Sequence, residues 1–157
     1  MSLDIQPFAV SDLPVAEAML RDYSRELEPH NFDEGDLQKW FALIQSNVAE
    51  GKWHYWLARQ QGAAVGFVIF LVSGTWFDPA AKIGNLEEFY IVPAARGQGL
   101  GRELALAAFA ALAAQGATSL RLGVLASNTT GLAFWQSLGL KVQHQVLTMP
   151  LKDASAG

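Results

Sequence analysis

Residues 85–102 read NLEEFYIVPAARGQGLGR, and this stretch decides the fold. Leu86, Phe89, Tyr90, Ile91 and Val92 make a short apolar-rich strand that carries two adjacent carboxylates, Glu87 and Glu88. Pro93 ends it, because proline has no N–H for a sheet ladder. Arg96-Gly97-Gln98-Gly99-Leu100-Gly101 then opens the most helix-prone segment of the chain. A glycine-rich turn feeding a helix N-terminus aims several backbone N–H groups at one point and adds the positive end of the helix dipole. Such a corner binds anions, most often phosphate.

Two phosphate loops do not fit. The Walker A pattern needs Lys-Ser/Thr after its last glycine, and Gly101 is followed by Arg102 and Glu103. The dinucleotide fingerprint needs a glycine where Arg102 stands and an acid further on, and residues 118–124 hold no acid. What remains is R-x-x-G-x-G, carried by Arg96, Gly99 and Gly101. In this the chain resembles the GCN5-related N-acetyltransferase (GNAT) superfamily, whose acetyl-coenzyme A loop reads [QR]-x-x-G-x-[GA]. Residues 128–140, NTTGLAFWQSLGL, are similar to the second signature of that superfamily. The two signatures, in this order and separated by an Ala-rich helix and a strand, cover residues 85–140.

Outward from this centre, hydrophobic periodicity supplies the other elements. A strand is predicted over Leu3–Val10, then a helix to Leu27 capped by Ser11, with Pro14 in its first turn. Val15, Met19 and Tyr23 mark its buried stripe. A second helix is predicted over Asp36–Val48, with Leu37, Trp40, Phe41 and Ile44 on one face. Trp53–Arg59 and Ala63–Ser73 read as a hairpin turning at Gln60-Gln61-Gly62, with Gly66 at a bulge or a close backbone approach. After the central strand come a helix over Leu100–Gln115 stopped by Gly116, a strand over Ser119–Leu125, a helix over Thr130–Leu138, and one or two closing strands over Val142–Leu151. This order is an α/β layered sandwich. The resemblance implies the GNAT fold, with a mixed, mostly antiparallel central sheet and helices on both faces.

The chain has 157 residues, 51% hydrophobic and 17% charged, which fits a single globular domain over residues 1–157. Its net charge of −4 lacks the basic footprint of a nucleic-acid-binding domain and mildly favours a cationic substrate. The absence of cysteine excludes disulfides, thiolate metal sites and a cysteinyl intermediate. His30, His54 and His144 show no metal spacing, so no metal is expected. The first residues, MSLDIQPF, lack a basic and an apolar signal region, and no apolar run approaches the ~20 residues that span a bilayer. A soluble cytoplasmic protein, without membrane or nucleic-acid partner, is expected.

By resemblance, backbone groups of Phe89, Tyr90 and Ile91 pair with the pantetheine arm of acetyl-CoA. Arg96, Gly97, Gln98, Gly99, Leu100, Gly101 and Arg102 cradle its pyrophosphate, and Asn128 binds the far end of the cofactor. Trp135 stands where many members of the superfamily carry a tyrosine that protonates the departing thiolate. Indole only donates and is no general acid, but a thiol with a pKa near about 8.5 can leave as thiolate when N–H groups stabilise it.

An alkyl amine with a pKa of about 10.4 must lose a proton before it attacks, and a carboxylate is the usual acceptor. Adjacent strand residues face opposite sides, so only one of Glu87 and Glu88 enters a given cleft. Related small-molecule acetyltransferases carry an acidic pair at this spacing whose first acid meets the substrate, which favours Glu87, with Glu88 second. His30, in the loop after the first helix, and Trp76 and Phe77, in the loop after Ser73, are candidate acceptor-binding residues. The expected activity is direct N-acetylation of a primary amine on a small molecule, in a protein for which the resemblance is compatible with a homodimer. Two other readings stay open: a coenzyme-A-binding sensor module without turnover, and an acetyltransferase acting on a protein or peptide.

Overall fold

The computed structural model describes residues 2–152. The chain falls into two compact units, Met1–Leu125 and Ala126–Gly157, where the sequence pattern reads as one domain. The first unit runs β1 (Asp4–Pro7), α1 (Leu13–Leu27), α2 (Glu34–Ala49), β2 (His54–Gln60), β3 (Ala63–Ser73), β4 (Ile83–Ile91), α3 (Leu100–Ala114) and β5 (Ser119–Arg121). The second holds α4 (Thr129–Ser137). The five strands form one sheet in sequence order. All neighbours are antiparallel except β4 and β5, which run parallel. This is the expected mixed, mostly antiparallel α/β architecture.

Strand alternation sorts the sheet into two faces. Tyr55, Leu57, Phe67, Ile69 and Tyr90 join Ala16, Met19 and Leu20 of α1 and Leu37, Phe41 and Ile44 of α2 in one core. Truncating Leu20, Leu57 or Ile44, each fully buried, to Ala is worth about 2–5 kcal/mol. Val68 and Phe70 take the other face, where Trp56 meets Phe70 edge-on at 4.8 Å. α3 covers that sheet face with Leu104, Ala105 and Ala108, all completely buried. Its alanines let the helix lie close, as their number suggested. The β2–β3 turn carries positive φ at Gln61 (52°) and Gly62 (82°), the twist a two-residue hairpin requires. Gly66 is a close approach: a Cβ there would run into the Tyr90 carbonyl.

Three sequence expectations are corrected. Ser11 is not the cap of α1. A 3-10 turn over Val10–Asp12 delays the helix, and Asp12 instead accepts the Ala9 amide at 2.8 Å and pairs with Arg59 at 2.6 Å. The strand after α3 ends at Arg121 rather than Leu125, because its ladder to β4 stops at Asn85. The closing strands over Val142–Leu151 do not form. Residues 140–152 carry no ladder, and Val146, Leu147, Met149 and Leu151 are exposed. An alternating pattern makes a strand only where its backbone groups find a partner.

Candidate active site

The centre of β4 is irregular. Ile69 of β3 stands opposite Glu88 but its neighbour Phe70 stands opposite Leu86, so Glu87 is the extra residue of a β-bulge. The bulge resets the phase of the strand. Residues directly opposite one another share a face, so Glu88 joins Ile69 and Tyr90 on the α1/α2 side. Leu86 and Phe89 lie with Phe70 and Val68 on the α3 side. Glu87 is exposed and Glu88 is half-buried.

Glu88 lines a cavity of about 320 Å³ closed by the end of α1, the start of α2 and β4. Trp40 and Phe32 supply aromatic wall, and Glu28, Asp33 and Asp36 supply carboxylates; among the described residues no Lys, Arg or His lines it. The Tyr23 hydroxyl reaches from α1 to Glu88 Oε2 at 2.5 Å. Burial is the main cause that pushes the Glu88 carboxyl up to about 7; the Tyr23 hydrogen bond opposes it and the Glu87 charge adds to it. A group that titrates near neutrality can both take and release a proton. Tyr23 is pushed the same way, chiefly by burial and then by the Glu88 charge, so its phenol keeps its proton.

Past Ile91, the chain makes a 3-10 turn over Pro93–Ala95 and enters the glycine loop. Gly97 and Gly99 both sit at φ 79°, where a side chain is strained, and the space a Cβ would take is open at both. Gly99 is the N-cap of α3, and the first donation into the helix is from Glu103 N to the Gly99 carbonyl. The amides of Leu100, Gly101 and Arg102 therefore have no partner within the helix. Arg96 is already engaged. Its guanidinium meets Glu26 of α1 at 2.8 Å, and its Nε donates to the Ile91 carbonyl at 2.9 Å.

Within the second unit, Asn128 caps α4, its Oδ1 accepting the Gly131 amide at 2.9 Å. A Cβ on Gly131 would strike that side chain. Trp135 is buried and packs edge-on against Phe134 at 4.8 Å.

The first unit thus brings together Glu88, Phe89, Tyr90, Ile91 and the 96–102 loop. It does not bring His30, Trp76 or Phe77 to the cavity. His30 is exposed in the α1–α2 turn. Trp76 is 94% and Phe77 69% exposed on a β3–β4 loop, where they pack edge-on against each other. In sequence Tyr23 and Trp40 read as buried-face positions on amphipathic helices, and both do pack against the core; Tyr23 is in addition the hydrogen-bond partner of the carboxylate and Trp40 part of the cavity wall. Asp33 and Asp36 carry the signal of a helix start, and Asp33 does cap α2 by accepting the Asp36 amide at 2.9 Å.

Among the described residues no group of three or more acidic or His side chains is arranged to hold a metal. Nor, among those residues, is any helix long and apolar enough to cross a membrane.

The model of the acetyltransferase (GNAT) family matches residues 15–140. No curated protein sequence matches the chain. Among solved structures, the chain is similar to a GCN5-related N-acetyltransferase from Ralstonia eutropha JMP134, with 19% identity and TM-score 0.76 over 96% of this chain and 99% of that one. It is similar to the PaiA N-acetyltransferase from Thermoplasma acidophilum in complex with coenzyme A, with 18% identity and TM-score 0.75 over 93% and 94%. An aminoglycoside acetyltransferase from an uncultured soil metagenomic sample, in complex with sisomicin, gives 18% identity and TM-score 0.73 over 96% and 95%. At such identity the likeness is one of fold.

Proposed function

The chain belongs to the acetyltransferase (GNAT) family, and from that premise we propose that it moves an acetyl group from acetyl-CoA directly onto the amine of a small cationic molecule. Glu88 is the general base. The observation that carries this reading is the placement of Glu88, half-buried in a cavity beside the strand bulge with its carboxyl pushed up to about 7. The sequence favoured Glu87 for this task. The bulge leaves Glu87 exposed and Glu88 on the cavity side, which supports Glu88 over Glu87 in this reading.

The donor supplies an activated acetyl thioester. The protein's part is to hold it and to prepare the amine. The open, glycine-formed corner at Gly97–Arg102 fits a pyrophosphate, since it combines unpaired helix amides with left-handed turns that bring backbone close to a ligand. Backbone groups of Phe89, Tyr90 and Ile91, beyond the short β4–β5 ladder, are assigned to the pantetheine arm. Asn128 and Trp135 are assigned to the cofactor as the resemblance implies. At the acceptor side, an ammonium entering the cavity meets four carboxylates along its lining, of which Asp36 has Lys39 at 3.9 Å. Glu88 takes one proton from the ammonium, the freed lone pair forms the bond to the acetyl carbon, the carbon–sulfur bond breaks with its electron pair leaving on the coenzyme A sulfur, and that thiolate takes up the second proton the nitrogen releases.

The test is thiol release from acetyl-CoA against a panel of small amines and peptides. Acetylation of a small cationic amine, lost in Glu88→Gln and kept in Glu87→Gln, supports the reading. Cofactor binding without release under every amine supports a sensor module instead, and turnover confined to peptides supports a protein acetyltransferase.

A further inference from the structure

Tyr23 lies on α1, far in sequence from the strand and loop that bear the family's signatures, yet its hydroxyl donates to Glu88, a residue of the cavity lining, at 2.5 Å. The ring is held from three sides: Phe67 edge-on at 5.5 Å, Tyr90 at 5.5 Å and Trp40 at 6.4 Å. A side chain fixed this way has no freedom to turn its hydroxyl elsewhere. The Phe89 amide acts as a donor toward the phenol oxygen. A phenol has one proton to give, so with its oxygen occupied from the strand its O–H is directed at Glu88 Oε2.

We propose that Tyr23 is the positioning residue for Glu88, claiming Oε2 so that Oε1 faces the incoming ammonium and holding the charged form of the carboxylate against burial. The inference rests on Glu88 being the base. A free carboxyl group rotates and offers either oxygen; one tied at Oε2 presents a single acceptor in a set direction, which shortens the search for a productive proton transfer. The same hydrogen bond favours the charged form against burial. The charge of Glu87, beside it on β4, disfavours ionisation. Glu28 at the end of α1 and Asp33 and Asp36 at the start of α2 line the same cavity, with Arg25 of α1 over the Phe32 ring at 4.7 Å and Lys39 of α2 3.9 Å from Asp36. The Tyr23 hydroxyl is the hydrogen-bond donor that opposes burial and the Glu87 charge.

Tyr23→Phe keeps the ring and its packing and removes only the donor. The expected result is a rising limb of kcat/KM against pH that moves upward by about one pH unit, so activity at pH 7 falls roughly fivefold and the ratio of variant to wild type recovers toward one by pH 9. Acetyl-CoA affinity, read by calorimetry, stays unchanged. A limb that does not move overturns the inference, whatever the loss in rate. Should the variant not fold, the wild-type protein carrying Tyr labelled with carbon-13 at Cζ provides the reading: the Tyr23 signal must titrate with the same midpoint as kcat/KM. A flat signal across that midpoint overturns it equally. Glu88→Gln separates the two levels. If that variant keeps full activity, the assignment of the base fails; if it is inactive while Tyr23→Phe is normal at every pH, only the positioning role fails.

Discussion

Arg96 of the glycine loop grips both carboxylate oxygens of Glu26, the residue one helical turn beyond Tyr23 on α1, at 2.8 Å. Its Nε is spent on the Ile91 carbonyl, and its guanidinium carbon lies 5.6 Å from the centre of the Tyr90 ring. The arginine that the loop pattern singles out is thus a strut between the loop, the end of β4 and the helix that carries Tyr23.

Glu26→Gln leaves this strut half made. Both partners are nearly half-exposed, so the pair itself contributes at most about 1 kcal/mol and the melting temperature moves by a few degrees at most. Acetyl-CoA affinity is expected to weaken several-fold, because the loop loses a fixed corner. Calorimetric titration beside thermal melting checks this; unchanged affinity means the ion pair is incidental to the loop.

Replacing the base has a larger effect. Glu88→Gln is expected to lower kcat by about 10²–10⁴-fold with little change in acetyl-CoA affinity, the range typical of general-base removal. Glu87→Gln, at the exposed bulge position, is expected to stay within a few-fold of wild type. Steady-state kinetics on the two variants decides which acid does the work.

Stability carries the same signature with an opposite sense. Burial raises Glu88 from its ordinary 4.5 to about 7, so the fold prefers the protonated form. That contribution is fully present below about pH 4.5 and fades as pH rises through 7, a change on the order of 3 kcal/mol. Glu88→Gln never ionises. Its melting temperature relative to wild type is therefore expected to rise by several degrees between pH 5 and pH 8, as followed by thermal melts in matched buffers.

Gly99→Ala places a Cβ on a residue at φ 79°. The strained backbone costs about 1 kcal/mol of stability, while the larger effect falls on acetyl-CoA binding, as the turn shifts and its amides lose their common aim. A strong loss of affinity in a protein that still melts cooperatively is the expected outcome.

At the cavity mouth, Asp36→Asn and Glu28→Gln each remove a negative charge without touching Glu88. For a cationic acceptor, KM is expected to rise several-fold in the double variant with kcat nearly unchanged, since uniform binding is what is lost. The effect shrinks at high salt. A KM that ignores both charges and salt argues for a neutral acceptor.

Much of this was legible in the residues because it rests on local rules. The glycines at 97 and 99 announce left-handed turns, Gly116 ends α3 with a φ of 95°, and the apolar stripes of α1 and α2 became the core. Two things escaped for physical reasons. A bulge adds one residue to a strand without leaving a mark in the hydrophobic pattern, so the facing of Glu87 and Glu88 could not be counted out. Tyr23 and Trp40 obey helical periodicity whether they end in a core or at a cavity wall; only the packing of α1, α2 and β4 together separates the two. The aromatic pair at Trp76 and Phe77 erred the other way, suggesting a pocket where the chain shows an exposed loop.

The extra residue in β4 works like a half-step in a two-beat rhythm. Everything before it keeps one time and everything after it another, and the acid falls on the helix side only because the count was broken first. Deleting Glu87 would only make the ladder regular, with Leu86 still opposite Phe70 and Glu88 still opposite Ile69. What the slipped residue decides is which of two adjacent acids is used: were Glu87 taken into the ladder after Leu86, it and not Glu88 would turn to the helix side.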